Sequence, residues 1–204
     1  MLQSALRLDE RNSMTALIVG LVLFLGVHSL RLRNDDLRDR LRARCGEGGF
    51  KGLYSLVSAV GLGLIVWGYG LARETPIVLW PTMTWTRHLA ALLVLLSFVL
   101  ITAAYVPGNA IKARLHHPMV LGVKVWALAH LLANNTLADL VLFGSFLIWA
   151  VLCFKSARRR DCATGMVYPA GHGARTGITI VLGSLAYGVF AMWLHAMLIG
   201  VRPL

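Results

Sequence analysis

Residues 88–106, HLAALLVLLSFVLITAAYV, contain no Asp, Glu, Lys or Arg. A helix of about 20 apolar residues, rising about 1.5 Å each, spans a hydrocarbon core of about 30 Å. The run therefore reads as a transmembrane helix. Five more apolar runs flank it, at 15–30, 53–72, 119–133, 137–154 and 177–200. At 57% hydrophobic, 14% charged and a mean hydropathy of +0.69, the 204 residues lie outside the range of soluble domains. The expected fold is all-α: a polytopic membrane bundle of about six transmembrane helices over 15–204, preceded by a polar extension, 1–14. The first and fifth runs are slightly short. The fourth carries Lys124 and His130 and then meets Asn134-Asn135, so the fourth and fifth read as two full helices joined by a tight turn, or as a short, re-entrant pair.

Charge orients these spans. Fourteen Lys and Arg fall in the loops 31–52, 107–118 and 155–176, against five on the other side. The positive-inside rule puts the first group in the cytoplasm and both termini outside. A net charge of +11 would suggest nucleic acid in a soluble protein. No basic stripe with interleaved aromatics accompanies it, so the partner expected of these charges is the lipid bilayer and not nucleic acid. Cys45, Cys153 and Cys162 form no CxxC, CxxCH or zinc spacing, which argues against covalent haem attachment and structural zinc. The opening MLQSALRLDERNS has no signal-peptide pattern; it reads as a disordered extension or as an upstream start ahead of Met14.

Two features invite plain readings. Residues 34–45 read as a short amphipathic helix at the lipid surface, with Leu37 and Leu41 on one face, Asp36 four before Arg40, and Gly46 as a stop. Gly61, Gly63, Gly68 and Gly70 read as small residues that let helices approach closely.

An ionisable group within a span is costly unless it is used or paired, so the histidines carry the functional question. His28 lies near the cytoplasmic end of the first span, and His130 lies inside the fourth. At about 100° per residue, Trp126, His130 and Asn134 share one face, while His117 and Lys124 share another. Lys124 can snorkel to the surface or meet an anionic group there. Two histidines facing each other across a bundle can supply the axial nitrogens of a b-type haem, with the ring in an apolar slot and the propionates on surface cations. His28 and His130 differ in depth by somewhat under about 10 Å, which helix tilt absorbs. The metal-ligand candidates are therefore His28 and His130, with Lys124 and Trp126 as further cofactor contacts. Hydrogen bonding to a carbonyl or an asparagine, or a place in a proton relay, would equally account for such histidines. His88 and His195 form a second possible pair near the outer face. His116 and His117, in LHHPMVLG, open another class: membrane methyltransferases of the isoprenylcysteine carboxyl type hold S-adenosylmethionine with an Arg-His-Pro segment followed by Gly. Here His116 stands at the Arg position. Asp139, the one acid in the apolar runs, is expected to cap the fifth helix. No GxSxG, HExxH or carboxylate pair within a span points to a hydrolase.

Read together, GLVLFLGVHSLR, KGLYSLVS, VWGYG, WTRHLAALL, YVPGN, HPMVLGVKVWALAHLLAN, LADLVLFGSFLIWAV and WLHAMLIGVRP resemble the NnrU family of bacterial membrane proteins, from about Met14 to Pro203. The resemblance implies a role in denitrification, supporting nitrite or nitric oxide reductase components as sensor, redox partner or maturation factor. It also implies a distant relation to plastid 15-cis-zeta-carotene isomerases, whose haem-ligating histidines match His28 and His130. The cysteine that those isomerases carry three residues before the second histidine is Ala127 here, which speaks against a redox ligand swap of that form. The functions implied are thus a haem protein of nitrite and nitric oxide metabolism, or a haem-dependent isomerase of a polyene or isoprenoid ligand. The methyltransferase is the third reading.

Overall fold

The structure, a computed structural model, describes the backbone of residues 2–33 and 35–203 and the side chains of 12–30, 32 and 38–203. Its helices are α1 (Leu2–His28), α2 (Leu30–Arg33), α3 (Asp35–Ala72), α4 (Thr84–Tyr105), α5 (Ala110–Leu115), α6 (Pro118–Ala133), α7 (Leu137–Thr164), α8 (Gly173–Val189) and α9 (His195–Ile199), the last two joined by a π-helical turn, Phe190–Leu194. Among the described residues, four helices are long and apolar enough to cross a membrane: α3, α4, α7, and α8 continued through α9. The apolar part of α1, Asn12–His28, and α6 are shorter. Between 17% and 28% of the residues in each candidate span are buried, and large apolar side chains such as Leu56, Leu92 and Leu185 stand exposed. Such faces need lipid around them. The chain is a helical membrane protein, as its composition requires.

The lengths correct parts of the sequence reading. α1 begins at Leu2, so the polar opening is helical. The fifth run is not short, because α7 continues past residue 154 through the arginines to Thr164. α6 is the short one, with 16 residues. Gly46 interrupts the helix as its reading as a stop expected: at φ 69° and ψ 165° it divides α3 into two helical segments across a kink, and Glu47 beyond the kink meets both Arg42 and Lys51. The expected pairing of Asp36 with Arg40 and of Leu37 with Leu41 from Asn34 onward lies outside the described residues.

Contacts divide the chain into two compact units. The first, Met1–Leu79 with Thr136–Ser145, is built on α1 packed against α3. Gly61 and Gly68 set that contact. A Cβ at Gly68 would lie 2.5 Å from the Leu17 backbone nitrogen, and one at Gly61 would lie 2.8 Å from that of Phe24. Gly63 and Gly70 face no such neighbour within 4 Å, so only two of the four glycines serve the expected role here. Asp139 is buried in the same unit. Its carboxylate accepts from the backbone N–H (3.0 Å) and hydroxyl (2.6 Å) of Thr136, while the Thr136 hydroxyl accepts from the Asp139 N–H at 3.2 Å. Thr136 is thus the cap of α7, and Asp139 is the third-position partner that closes the box, a refinement of the expected role. The Tyr69 hydroxyl donates to the other carboxylate oxygen at 2.6 Å.

The second unit, Trp80–Asn135 with Phe146–Leu204, is organised around α4, which packs on α6 and α8. The Ser97 hydroxyl, buried on α4, donates to the Gly122 carbonyl of α6 at 2.8 Å. Asn109 is also buried and caps α5: its side chain accepts from Lys112 N–H (2.8 Å) and donates to the Ala103 carbonyl at the end of α4 (2.8 Å).

Replacing Gly68 by Val should destabilise the protein by about 1–3 kcal/mol, because the new side chain meets backbone that cannot yield. Gly70→Ala, on open helix, should be neutral or stabilising by up to about 1 kcal/mol. Thermal unfolding in detergent, followed by helical circular dichroism, checks the pair. Equal effects would contradict the packing described.

Candidate functional site

A cavity of about 380 Å³ lies within the second unit. It opens among the start of α4, the end of α6 and the segment from α8 to the C-terminus. Its walls are largely small or aromatic: Ala90, Ala91, Ala129, Ala133 and Ala191, with Phe98, Tyr187 and Phe190. The polar groups are few and specific. His130, Trp126 and Asn134 enter from α6, His195 from α9, and Arg87 and Arg202 from the start of α4 and from the C-terminal segment. An apolar cavity of this size, with a small set of convergent polar groups, has the form of a small-molecule or cofactor site.

The face shared by Trp126, His130 and Asn134 is the one turned to the cavity, as helical spacing requires. His130 Nδ1–H donates to the Trp126 carbonyl one turn earlier at 2.9 Å, and the Asn134 amide donates to the His130 carbonyl at 2.9 Å. A carbonyl cannot donate, so Nδ1 carries the hydrogen, and in a neutral ring the lone pair is then on Nε2. The Trp126 and His130 rings lie 5.0 Å apart. α6 ends at Ala133, where the apolar run ends, and His130 belongs to its last turn. Lys124 does not line the cavity.

His195 reaches the cavity through two irregularities. The π-helical turn inserts a residue into the register, so every later side chain is rotated by roughly one residue, about 100°. Gly200 then ends α9 in the left-handed conformation (φ 77°), which a side chain would resist, and the chain doubles back. The Val201 carbonyl accepts from His195 Nδ1–H at 2.6 Å, and Arg202 comes to line the same space. His195 therefore has the same tautomer as His130. Of the second candidate pair, the cavity takes His195 and not His88.

His28 belongs to the first unit. Its Nδ1–H donates to the Phe24 carbonyl at 2.7 Å, and its ring stacks on Phe24 at 4.3 Å and lies 5.3 Å from Tyr54. The local arrangement matches that of His130: an imidazole held by the carbonyl four residues back, with the lone pair on Nε2.

His116 and His117 are drawn into a network. His117 Nε2–H donates to Asp161 Oδ2 at 2.8 Å, and the Tyr168 hydroxyl donates to the same oxygen at 3.2 Å. Arg158 donates to His116 Nδ1, and the His116 ring stacks on Tyr168 at 4.1 Å. His116 has φ 66°, the one positive value outside glycine among the described residues. Burial by itself would raise the Asp161 carboxyl. The hydrogen bond and charge of His117 and the hydrogen bond from the Tyr168 hydroxyl outweigh it and hold that carboxyl below its usual range. Among the described residues no group of three or more His, Cys, Asp or Glu could hold a metal ion. An axial haem ligand, a single imidazole, does not require such a group.

The NnrU protein family model matches residues 16–203, nearly the whole chain. The chain belongs to the NnrU family. Neither a curated protein nor a solved structure matches it. The NnrU match covers every residue of the cavity and of the histidine–aspartate network. Sequence reasoning reached His130, Trp126 and Asn134 through helical spacing. It missed Arg87, Arg202 and the return of the C-terminal segment. For that return the one available signal was the Gly200 helix stop.

A carboxylate whose folded pKa is depressed contributes stability that is present above its unfolded pKa, near 4, and is lost as the pH falls through the folded value. Asp161→Asn should therefore lower the melting temperature of this NnrU protein in detergent at pH 7. The gap to wild type should close as the pH is taken below about 4. A gap that persists undiminished at low pH would show that the carboxylate charge is not what the network uses.

Proposed function

We propose that this NnrU-family protein binds a b-type haem in the cavity of its second unit, with His130 Nε2 as an axial ligand, and that it serves nitrite and nitric oxide metabolism as a sensor, redox partner or maturation factor. The observation that carries the reading is the chemistry of the cavity lining. An axial histidine needs its Nδ1–H held by an acceptor, so that Nε2 is basic and the ring is oriented; Trp126 provides that acceptor at 2.9 Å. A porphyrin needs an apolar slot, which the alanines and Phe98, Tyr187 and Phe190 line. Its two propionates need cations, and Arg87 and Arg202 line the same cavity. The residues present fit the group.

When bound, the haem iron supplies a coordination position for nitric oxide or a centre for one-electron exchange. The chain's own contributions are separable. Trp126 fixes the tautomer and rotation of His130, and Asn134 ties down the end of α6 that carries it. Val201 does for His195 what Trp126 does for His130. Family resemblance names His28 as the second ligand, and its Nδ1–H is held in the same way; cavity lining favours His195. The family's link to nitrite and nitric oxide supports the metabolic assignment.

Protein purified after expression with an ample haem supply should show a Soret band. His130→Ala should abolish it or change the spin state. Parallel spectra of His195→Ala and His28→Ala identify the second ligand by which variant alters the band. Arg87→Gln and Arg202→Gln should each weaken haem retention, by about tenfold, without moving the band. No Soret band, or an unchanged spectrum in His130→Ala, would refute the assignment. Nitric oxide should shift the band of the reduced protein. Trans products formed from a cis-polyene would instead favour the isomerase.

A further inference from the structure

A second pocket, of about 330 Å³, lies in the first unit at the end of the α1–α3 pair where the arginines concentrate. His28, the residue that family resemblance names as a haem ligand, is part of its lining, but the remaining groups have the chemistry of an anion site. Arg38 and Lys51 supply its charge, Tyr54 and Ser55 supply hydroxyls, and Val27 and Phe50 supply apolar wall. Among the described residues the carboxylate of Glu47 is already shared, meeting Lys51 at 2.9 Å and Arg42 at 3.2 Å. Among the described residues Arg38 pairs with no carboxylate within 4.0 Å. The pocket therefore carries an excess of positive charge with hydrogen-bond donors beside it, and it is too large for a bare ion.

Its position selects the anion. Lys51 immediately precedes the apolar run 53–72, so the cations stand where a headgroup lies when that run is in hydrocarbon. Along α3 from the pocket, Leu53, Leu56 and Val60 are 55%, 62% and 48% exposed and share a helical face, one that suits an acyl chain. A guanidinium pairs two phosphate oxygens in a fork, an ammonium adds a mobile point charge, and basic pockets between membrane helices take anionic headgroups in this way.

We infer that this pocket is a binding site for the phosphodiester headgroup of an anionic phospholipid, with Arg38 and Lys51 as its phosphate contacts and the α3 face as the seat of an acyl chain.

The test uses the full chain in nanodiscs of phosphatidylcholine with a minor share of phosphatidylglycerol, with co-purifying lipid counted by native mass spectrometry. Wild type should retain phosphatidylglycerol above its bulk share. Arg38→Gln and Lys51→Gln should each lower that enrichment by roughly fivefold, and Arg38→Lys should lower it less than Arg38→Gln. Arg44→Gln removes an equal charge from the same segment outside the pocket and should leave the enrichment unchanged. Undiminished enrichment in Arg38→Gln and Lys51→Gln overturns the site. So does an equal loss in Arg44→Gln, which would mean diffuse surface charge. Release of the lipid by millimolar inorganic phosphate would make the pocket a soluble-anion site and overturn the headgroup assignment. If the glutamine variants lose helical circular dichroism, Arg38→Lys against Arg44→Gln still decides.

Discussion

A peptide N–H or carbonyl without a partner is expensive in hydrocarbon, and this chain is organised around that expense. Long helices meet it along their length; the difficulty is concentrated where they stop. Each stop that can be followed has its own solution. Asn109 bridges the end of α4 and the start of α5 with one amide. Thr136 and Asp139 close the first turn of α7 on each other, and Tyr69 satisfies the remaining carboxylate oxygen. At the last turn of α6 Asn134 serves as a side-chain partner for a terminal carbonyl. Asp139, the one acid inside the apolar runs, is spent on such an end, which leaves the histidines as the residues that call for another explanation.

The cavity follows from the same economy of length. α6 has 16 residues, which at about 1.5 Å each is shorter than the hydrocarbon core. Beyond its end, space remains beside α4. The C-terminal segment comes back into that space, turned by the π-helical insertion and by Gly200. A cavity bounded by a helix end gathers what helix ends carry: terminal histidines, and arginines that flank apolar runs. That is why an apolar chamber here has two imidazoles and two guanidinium groups in its lining.

Charge at the α5–α6 turn is spent differently. His116, His117, Arg158, Asp161 and Tyr168 form a closed network that ties the α5–α6 turn to the far end of α7. Its members satisfy one another, and so this histidine pair reads as a structural joint, whereas Arg38 and Lys51 keep charge to spare.

The amino-acid sequence alone determined that this is a helical membrane protein, because long apolar runs admit no other way of satisfying their backbones in lipid. It also determined the face of α6 that matters, since 3.6-residue periodicity places Trp126, His130 and Asn134 together whatever surrounds them. The NnrU resemblance was equally legible, being a property of segments. Tertiary structure decided what periodicity cannot carry. Gly61 and Gly68 touch α1 while Gly63 and Gly70 do not, because contact depends on which flank of α3 the neighbour occupies. His195 joined His130 only through a π-helical insertion that shifts the register and a left-handed glycine that reverses the chain; neither leaves a periodic trace. Arg87 and Arg202, over a hundred residues apart in the chain, came to one cavity for the same reason. Composition sets the solvent, spacing sets the face, and only packing sets the partner.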